Sequence, residues 1–340
     1  DNPSGEEAAI AAHIRGQLES VGLQVEEDAL HNLLARLPGD GEPLLLNAHM
    51  DSVAPCRNVR PVVADGIIRS SGDTVLGADD LAGVAAILEG VRATLERGAK
   101  HRAAEIVFTV QEEVGLRGAA GFDTNKLRAR TGFTLDSGGG FGGITIGAPS
   151  QDSLHVVITG RASHAGVAPE QGVSAIVVAG HALAAMPLGR IDHETTANIG
   201  IIKGGAATNI IPEQVELWGE ARSHDSTKLR AQVQAMVDAL QTAATTHGAT
   251  VDVEIKHKYD TYRLSADTPS IRQAAVVLQA MGFEPRYEIS GGGSDANVFA
   301  QRGLSVANIS VGYQAIHSTG EYIAIADLER AAEFVARLLQ

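Results

Sequence analysis

Three hundred and forty residues exceed what one compact core usually organises, so two domains are expected. A hydrophobic content of 44% with 20% charged residues is that of an ordinary globular protein, and no apolar run reaches the roughly 18 residues of a membrane span. The formal net charge of -14 argues against nucleic acid as a partner, because neutralising phosphates needs a basic face.

The chain opens at Asp1, without Met, in DNPSGEE, which reads as the middle of a loop ahead of a helix. No secretory signal is visible, and a cytoplasmic location is expected. Residues 5–22 carry apolar side chains at helical spacing and stop at Gly22, which predicts an amphipathic helix. Strands are expected at 33–37 and 44–48, with a short one at Ile67 and Ile68. The run at 44–48 leads into His49 and Asp51. Residues two apart in a strand point the same way, so the Asp51 carboxylate is expected behind the His49 imidazole. A metal-ligating His needs such an acceptor on its other ring nitrogen. VLGADD at 75–80 then leads into an Ala-rich helix over 81–96. A buried strand at 104–110 ends in Gln111, Glu112 and Glu113, and another at 131–135 ends in Asp136, Ser137 and a glycine run.

This alternation signals a mostly parallel sheet covered by helices, in which ligands bind beyond the carboxyl ends of the strands. Helix caps and turns explain one or two carboxylates at strand ends. They do not easily explain His49, Asp51, Asp79, Asp80, Glu112, Glu113 and Asp136 together.

From residue 152 the rhythm changes to strand, helix, strand, strand, helix, strand, the ferredoxin-like order. After 261 the first pattern resumes, with a helix at 268–281, SGGGSD at 290–295, a short helix at 296–301, a strand at 304–311, IHSTGEY with His317 and Glu321, and a final helix at 325–339. The expected organisation is a discontinuous catalytic domain, 1–150 and 262–340, holding an inserted domain, 151–261.

Carboxylate and imidazole ligands without thiolates suit zinc, cobalt or manganese. One metal with a catalytic opening needs about three protein ligands. The larger number here suits two metals sharing a bridging carboxylate. A further carboxylate can then act as general base, and adjacent Glu112 and Glu113 offer that division of labour; adjacent acids at a helix start are the plainer alternative. The single cysteine, Cys56, excludes internal disulfides and a thiolate metal site. Its loop has no nearby base, so it reads as incidental.

HMDSV, GADDLAG, QEEVGLRG, LDSGG, ASHAG, TNIIPE, GGGSD and IHSTGEY, in this order from near residue 2 to the C-terminal helix, resemble the dinuclear zinc exopeptidases that include peptidase T, carboxypeptidase G and aminoacylase. GADD, HAGVAPEQG and IHSTGEY are most similar to the peptidase T-like members. The resemblance implies an α/β fold, a mixed sheet flanked by helices, with an inserted ferredoxin-like lid or dimerisation domain. It also implies two divalent metal ions, zinc before cobalt or manganese, a short peptide substrate and a homodimer formed through the inserted domain.

In that reading His49, Asp79 and Asp136 hold one metal, and Asp79, Glu113 and His317 the other. Asp51 orients His49. Glu112 is the general base for a metal-bridged hydroxide, and His164 reaches toward the substrate carbonyl oxygen, often across a dimer interface. Asn209 and Arg222 grip the substrate, while Gly291 and Gly292 line its channel. Asp80 is an alternative bridge, but the family's Asp-x-Lys-x-Gly pattern favours Asp79; Leu81 stands where the Lys is common. Glu321 is expected to support the site or to lie at the surface. The implied reaction is hydrolysis of a terminal peptide bond in short peptides, of the tripeptide aminopeptidase type. An N-acyl amino acid deacylase or carboxypeptidase would use the same machinery. A non-catalytic metal-binding scaffold would lack a ligand or Glu112, and neither is missing.

Overall fold

The computed structural model describes all residues, Asp1–Gln340, in two units: Asp1–Ala148 with Tyr262–Gln340, and Pro149–Thr261. In chain order the elements are α1 (Ala8–Ser20), β1 (Val25–Glu27), β2 (Leu33–Leu37), β3 (Asp40–His49), β4 (Pro61–Ala64), β5 (Ile67–Ser70), α2 (Ala78–Arg97), β6 (Arg102–Thr109), α3 (Arg117–Gly121), β7 (Thr131–Ser137) and β8 (Gly143–Ala148). The second unit holds β9 (Ser150–Thr159), α4 (Ala175–Ala185), β10 (Gly189–Arg190), β11 (Thr195–Gly204), β12 (Gln214–Ser223), α5 (Ser226–His247) and β13 (Thr250–Tyr259). The first unit then resumes with β14 (Tyr262–Arg263), α6 (Pro269–Ala280), β15 (Arg286–Ile289), α7 (Asp295–Gln301), β16 (Ser305–Ser310), β17 (Tyr322–Ala324) and α8 (Ile325–Leu338).

Uninterrupted apolar runs make the middle of the large sheet because both of its faces are covered. Along β3, Leu44 and Leu46 join the core with Ile14 of α1, Ile87 of α2, Ile271 of α6 and Phe334 of α8. Leu45, pointing the other way, packs with Val107, Val306 and Phe299 of α7. The strand order is β1-β2-β6-β3-β7-β16-β8-β14, with β15 on β8. The four strands β6, β3, β7 and β16 run parallel, but β1, β2, β14 and the β16–β8 pair are antiparallel. The sheet is therefore mixed, with a parallel centre and a further parallel pair where β15 joins β8. The glycine-bearing β8 and the short β15 carry little strand signal and are additions to the expected elements. A separate three-stranded sheet, β17-β5-β4, lies in the same unit.

In the second unit β9, β11, β12 and β13 form an antiparallel sheet in the order β11-β12-β9-β13, with β10 at its edge. With α4 and α5 this is the ferredoxin-like arrangement. Leu154, Val156 and Ile158 of β9 form its core with Ala179, Met236 and Leu240 of the two helices. The unit starts at Pro149, two residues before the expected boundary, and β9 begins at Ser150. α4 starts at Ala175, where the Ser174 hydroxyl accepts the Val177 N–H at 3.3 Å and caps it.

Candidate active site

The carboxyl ends of the adjacent parallel strands β6, β3 and β7 carry Glu112 and Glu113, His49, and Asp136, the position where an open parallel sheet binds ligands. Asp79 comes from the start of α2, where it and Asp80 depart from helical geometry. His317 comes from the loop between β16 and β17 and stands at φ +58, a left-handed conformation uncommon outside glycine.

These side chains converge. His49 Nε2 lies 3.3 Å from Asp79 Oδ1 and 3.7 Å from Asp136 Oδ1. His317 Nε2 lies 3.5 Å from Asp79 Oδ2 and 3.1 Å from Glu113 Oε2. Asp79 thus turns one oxygen to each imidazole, the disposition of a bridging carboxylate. Asp80 also approaches His49 and Asp136. Its carboxylate, however, accepts the His49 N–H at 3.3 Å and the Gly83 N–H at 3.2 Å, which commits it to the main chain. Leu81 packs against the apolar core, so the position where a Lys is common carries no charge here.

Asp51 does lie behind His49, though strand alternation is not what places it there. β3 ends at His49, so strand alternation does not extend to Asp51. His49 Nδ1 donates to the Asp51 main-chain carbonyl at 3.0 Å, while the Asp51 carboxylate lies farther off at 3.4 Å. That bond leaves Nε2 as the nitrogen facing Asp79 and Asp136. The Asp51 carboxylate also accepts the Ser4 hydroxyl at 2.6 Å and the N–H groups of Glu112 and Glu113 at 2.9 and 3.2 Å. It fixes the turn that presents both glutamates.

Other supports were not foreseen. The Tyr313 hydroxyl donates to Asp136 Oδ1 at 2.9 Å. Asn308 brackets the Asp136 main chain, accepting its N–H at 3.0 Å and donating to its carbonyl at 2.6 Å. Asp295, in SGGGSD, is buried; its Oδ2 accepts from Asn47 at 3.1 Å and from the Thr109 hydroxyl, while its Oδ1 has no partner. The aspartate in SGGGSD was the only sequence signal for any of these.

The electrostatics are those of an anionic pocket short of positive charge. Burial pushes Glu112 well above the usual carboxylate range, and Asp136, Glu113 and Asp295 push it further. Burial does the same to Asp136, reinforced by Asp79 and Asp295. Burial works against the charge on Asp79 too, but the two imidazoles, His317 first, hold its carboxyl well below the usual range. Burial also opposes charge on His49, yet Asp51 and Asp79 raise its ring well above the ordinary value. Asp79 and Glu113 push His317 up to about 10.

Buried like charges of this density are stable when cations neutralise them. Two ligand atoms each bonded at about 2.0–2.1 Å to one tetrahedral cation lie roughly 3.3–3.4 Å apart, close to the separations above. The donor set therefore fits divalent metal. His49, Asp79, Asp136, Glu113 and His317 are the residues that could hold it. The Glu112 carboxylate is committed to neither imidazole. Cys56 is buried, its Sγ against the Ser52 carbonyl at 3.5 Å, and burial raises its thiol pKa.

In the second unit His164 is exposed, and its Nδ1 accepts the Gly166 N–H at 3.2 Å. Asn209 is its neighbour, for the Asn209 carbonyl accepts the Ala165 N–H at 2.9 Å. The Arg222 guanidinium forms a two-pronged pair with Glu220, at 2.8 and 3.0 Å. A substrate carboxylate at Arg222 would have to compete with that partner. Gly291 has open space where a side chain would be, but the Gly292 N–H donates to Ser290 Oγ at 3.0 Å and is not available to a ligand. Other histidines of this unit make local contacts: His155 stacks on Trp218, His181 on His247, and His257 bonds Asp152.

A family model described as peptidase dimerisation domain matches residues 146–247, and one described as peptidase family M28 matches residues 32–180. The uncharacterized protein YqjE of Bacillus subtilis is 38% identical, over 100% of this chain and 94% of its own length. Two solved structures match the whole chain and 94% of theirs. Aminopeptidase PepT from Bacillus cereus is 40% identical with a TM-score of 0.86, and a tripeptidase from Staphylococcus aureus is 36% identical with a TM-score of 0.92.

Proposed function

Because the chain belongs to the dinuclear metallo-exopeptidase family that includes peptidase T, we propose that it removes the N-terminal residue of tripeptides at the site built around Asp79. It is a hydrolase acting on peptide bonds, and two divalent metals are its cofactor. The observation that carries the reading is Asp79 placed between two imidazoles, 3.3 and 3.5 Å away, with the uncommitted acid Glu112 close by. His49, Asp79 and Asp136 would hold one ion, and Asp79, Glu113 and His317 the other. Zinc fits a set of imidazoles and carboxylates with no thiolate.

Bound there, the ions supply Lewis acidity and make water a nucleophile at neutral pH. Glu112 takes the proton of the attacking water and then delivers it to the departing nitrogen. Its buried surroundings favour the protonated form that this second role requires. Asp51 holds the Glu112 main chain in place. His164 donates to the developing oxyanion; its Nδ1 accepts a main-chain N–H, which leaves the neutral ring's proton on Nε2 for that purpose. Asn209 and Arg222 grip the ends of the peptide. The match to a dimerisation domain supports a homodimer formed through Pro149–Thr261. A lone, buried, free thiol at Cys56 suits the reducing cytoplasm.

The test is a panel of di- and tripeptides with free or blocked ends, assayed with zinc, cobalt or manganese. Cleavage confined to tripeptides with a free amine supports the reading. Activity on N-acetylated substrates alone overturns it in favour of a deacylase.

A further inference from the structure

The segment before α2 turns sharply. Gly77 stands at φ +77, and a Cβ added there would lie 2.9 Å from Ser52 Oγ. Turns of this kind aim successive main-chain N–H groups into one concavity, a shape that binds anions. Here the anion comes from the other end of the chain. Glu321 Oε2 accepts the N–H groups of Leu76 and Gly77, and Oε1 accepts that of Asp79, each at 2.8 Å. The side chain is buried, with 2% relative exposure. The Glu321 N–H donates to the Ser318 carbonyl at 3.1 Å, and Tyr322 continues into β17, which pairs with β5. Glu321 therefore closes the loop that carries His317.

A buried acid accepting three N–H groups could simply hold any turn. What sets this one apart is the pair of segments it joins. One ends in Asp79 and the other begins at His317, and those side chains approach to 3.5 Å.

We infer that Glu321 is a positioning residue for the metal site: by clamping the Asp79 turn to the His317 loop, it sets the spacing of two side chains that share a cation. The inference rests on the assignment of Asp79 and His317 as ligands proposed above. Glu321 touches neither substrate nor cation, so its loss should fall on metal affinity, and chemistry should return once metal is forced in. The ion held by His317 should suffer most, because both of its flanking segments loosen.

The test titrates the metal-free full chain with Co(II) in four forms: wild type, Glu321→Gln, Glu321→Asp and His317→Ala. The glutamine keeps the volume but turns an NH2 group onto main-chain donors. The expected result is one cobalt bound about 10–100-fold more weakly in Glu321→Gln, the usual scale for losing a group that supports a ligand. Its visible cobalt spectrum should change, kcat should recover at saturating cobalt, and Glu321→Asp should fall between the two. Cobalt affinity within about threefold of wild type, well below that scale, overturns the inference. So does weakened binding whose lost turnover excess cobalt fails to restore. If Glu321→Gln does not fold, Glu321→Asp decides by the same criteria. His317→Ala separates the two levels. If it still binds two cobalt ions as wild type does, the ligand assignment itself fails. If it loses one while the Glu321 variants lose none, only the inference about Glu321 fails.

Discussion

His317 Nε2 lies 3.1 Å from Oε2 of Glu113, a residue 204 positions earlier in the chain. Without metal that contact is an ion pair, because Asp79 and then Glu113 push the imidazole up to about 10. To accept a metal the ring must first lose its proton.

Metal loading should therefore release protons and tighten with rising pH. Between pH 6 and 9 the apparent affinity should climb by roughly tenfold per pH unit for each proton released. Calorimetry in buffers of different ionisation enthalpy measures the release directly, and a titration that liberates none would remove His317 from the ligand set. For the metal-free protein the sign runs the other way. The folded-state value lies above the unfolded 6.5, so the ion pair's stabilisation is complete below pH 6.5 and is lost progressively as pH rises to about 10.

Replacing Glu112 by Gln should leave two metals per chain while lowering kcat by about 10²–10⁴-fold, the range for losing a general base. Metal content and turnover are measured on the same sample. Loss of a metal would instead make Glu112 a ligand.

His164→Ala should lower kcat by about 10²–10³-fold, the scale of one oxyanion donor, with metal content unchanged. If the histidine acts across a dimer interface, mixing His164→Ala with Glu112→Gln subunits should regenerate part of the activity. Unaltered turnover in His164→Ala would exclude it from the mechanism.

Gly83→Ala should destabilise the protein although the site lies inside α2, where Ala is ordinarily better than Gly by about 1 kcal/mol. An added Cβ would meet the Leu135 carbonyl oxygen at 2.2 Å and Asp80 Oδ1 at 2.4 Å. Overpacking of this kind costs about 1–3 kcal/mol, and the main-chain oxygen has little room to yield. A denaturation midpoint at or above the wild-type value would contradict this.

What could be read from the sequence has a physical boundary. His49, Glu112, Glu113 and Asp136 stand at the ends of apolar runs, and a parallel sheet places strand ends together, so local patterns sufficed to nominate them. Choosing Asp79 over Asp80, and making His317 a ligand, needed the family resemblance, since neither follows a strand directly. Tyr313 and Asn308 were invisible for a different reason. They meet Asp136 because β16 lies beside β7, a pairing across more than 170 residues that no local window encodes. Asp51 was nominated correctly as a neighbour of His49, but strand alternation is not what puts it there, because β3 stops at His49, two residues short of Asp51. The strands at one margin of the sheet escaped because β8 mixes glycine with apolar residues and β15 is only four residues long.

The second unit interrupts the first, and His317 belongs to the part made after the interruption. On the assignment proposed above, a polypeptide abandoned by the ribosome before that loop has emerged carries most of the acids but lacks an imidazole that completes one of the metal cradles. On that assignment the second cradle is the last to be assembled, because no earlier stretch of the chain supplies its imidazole.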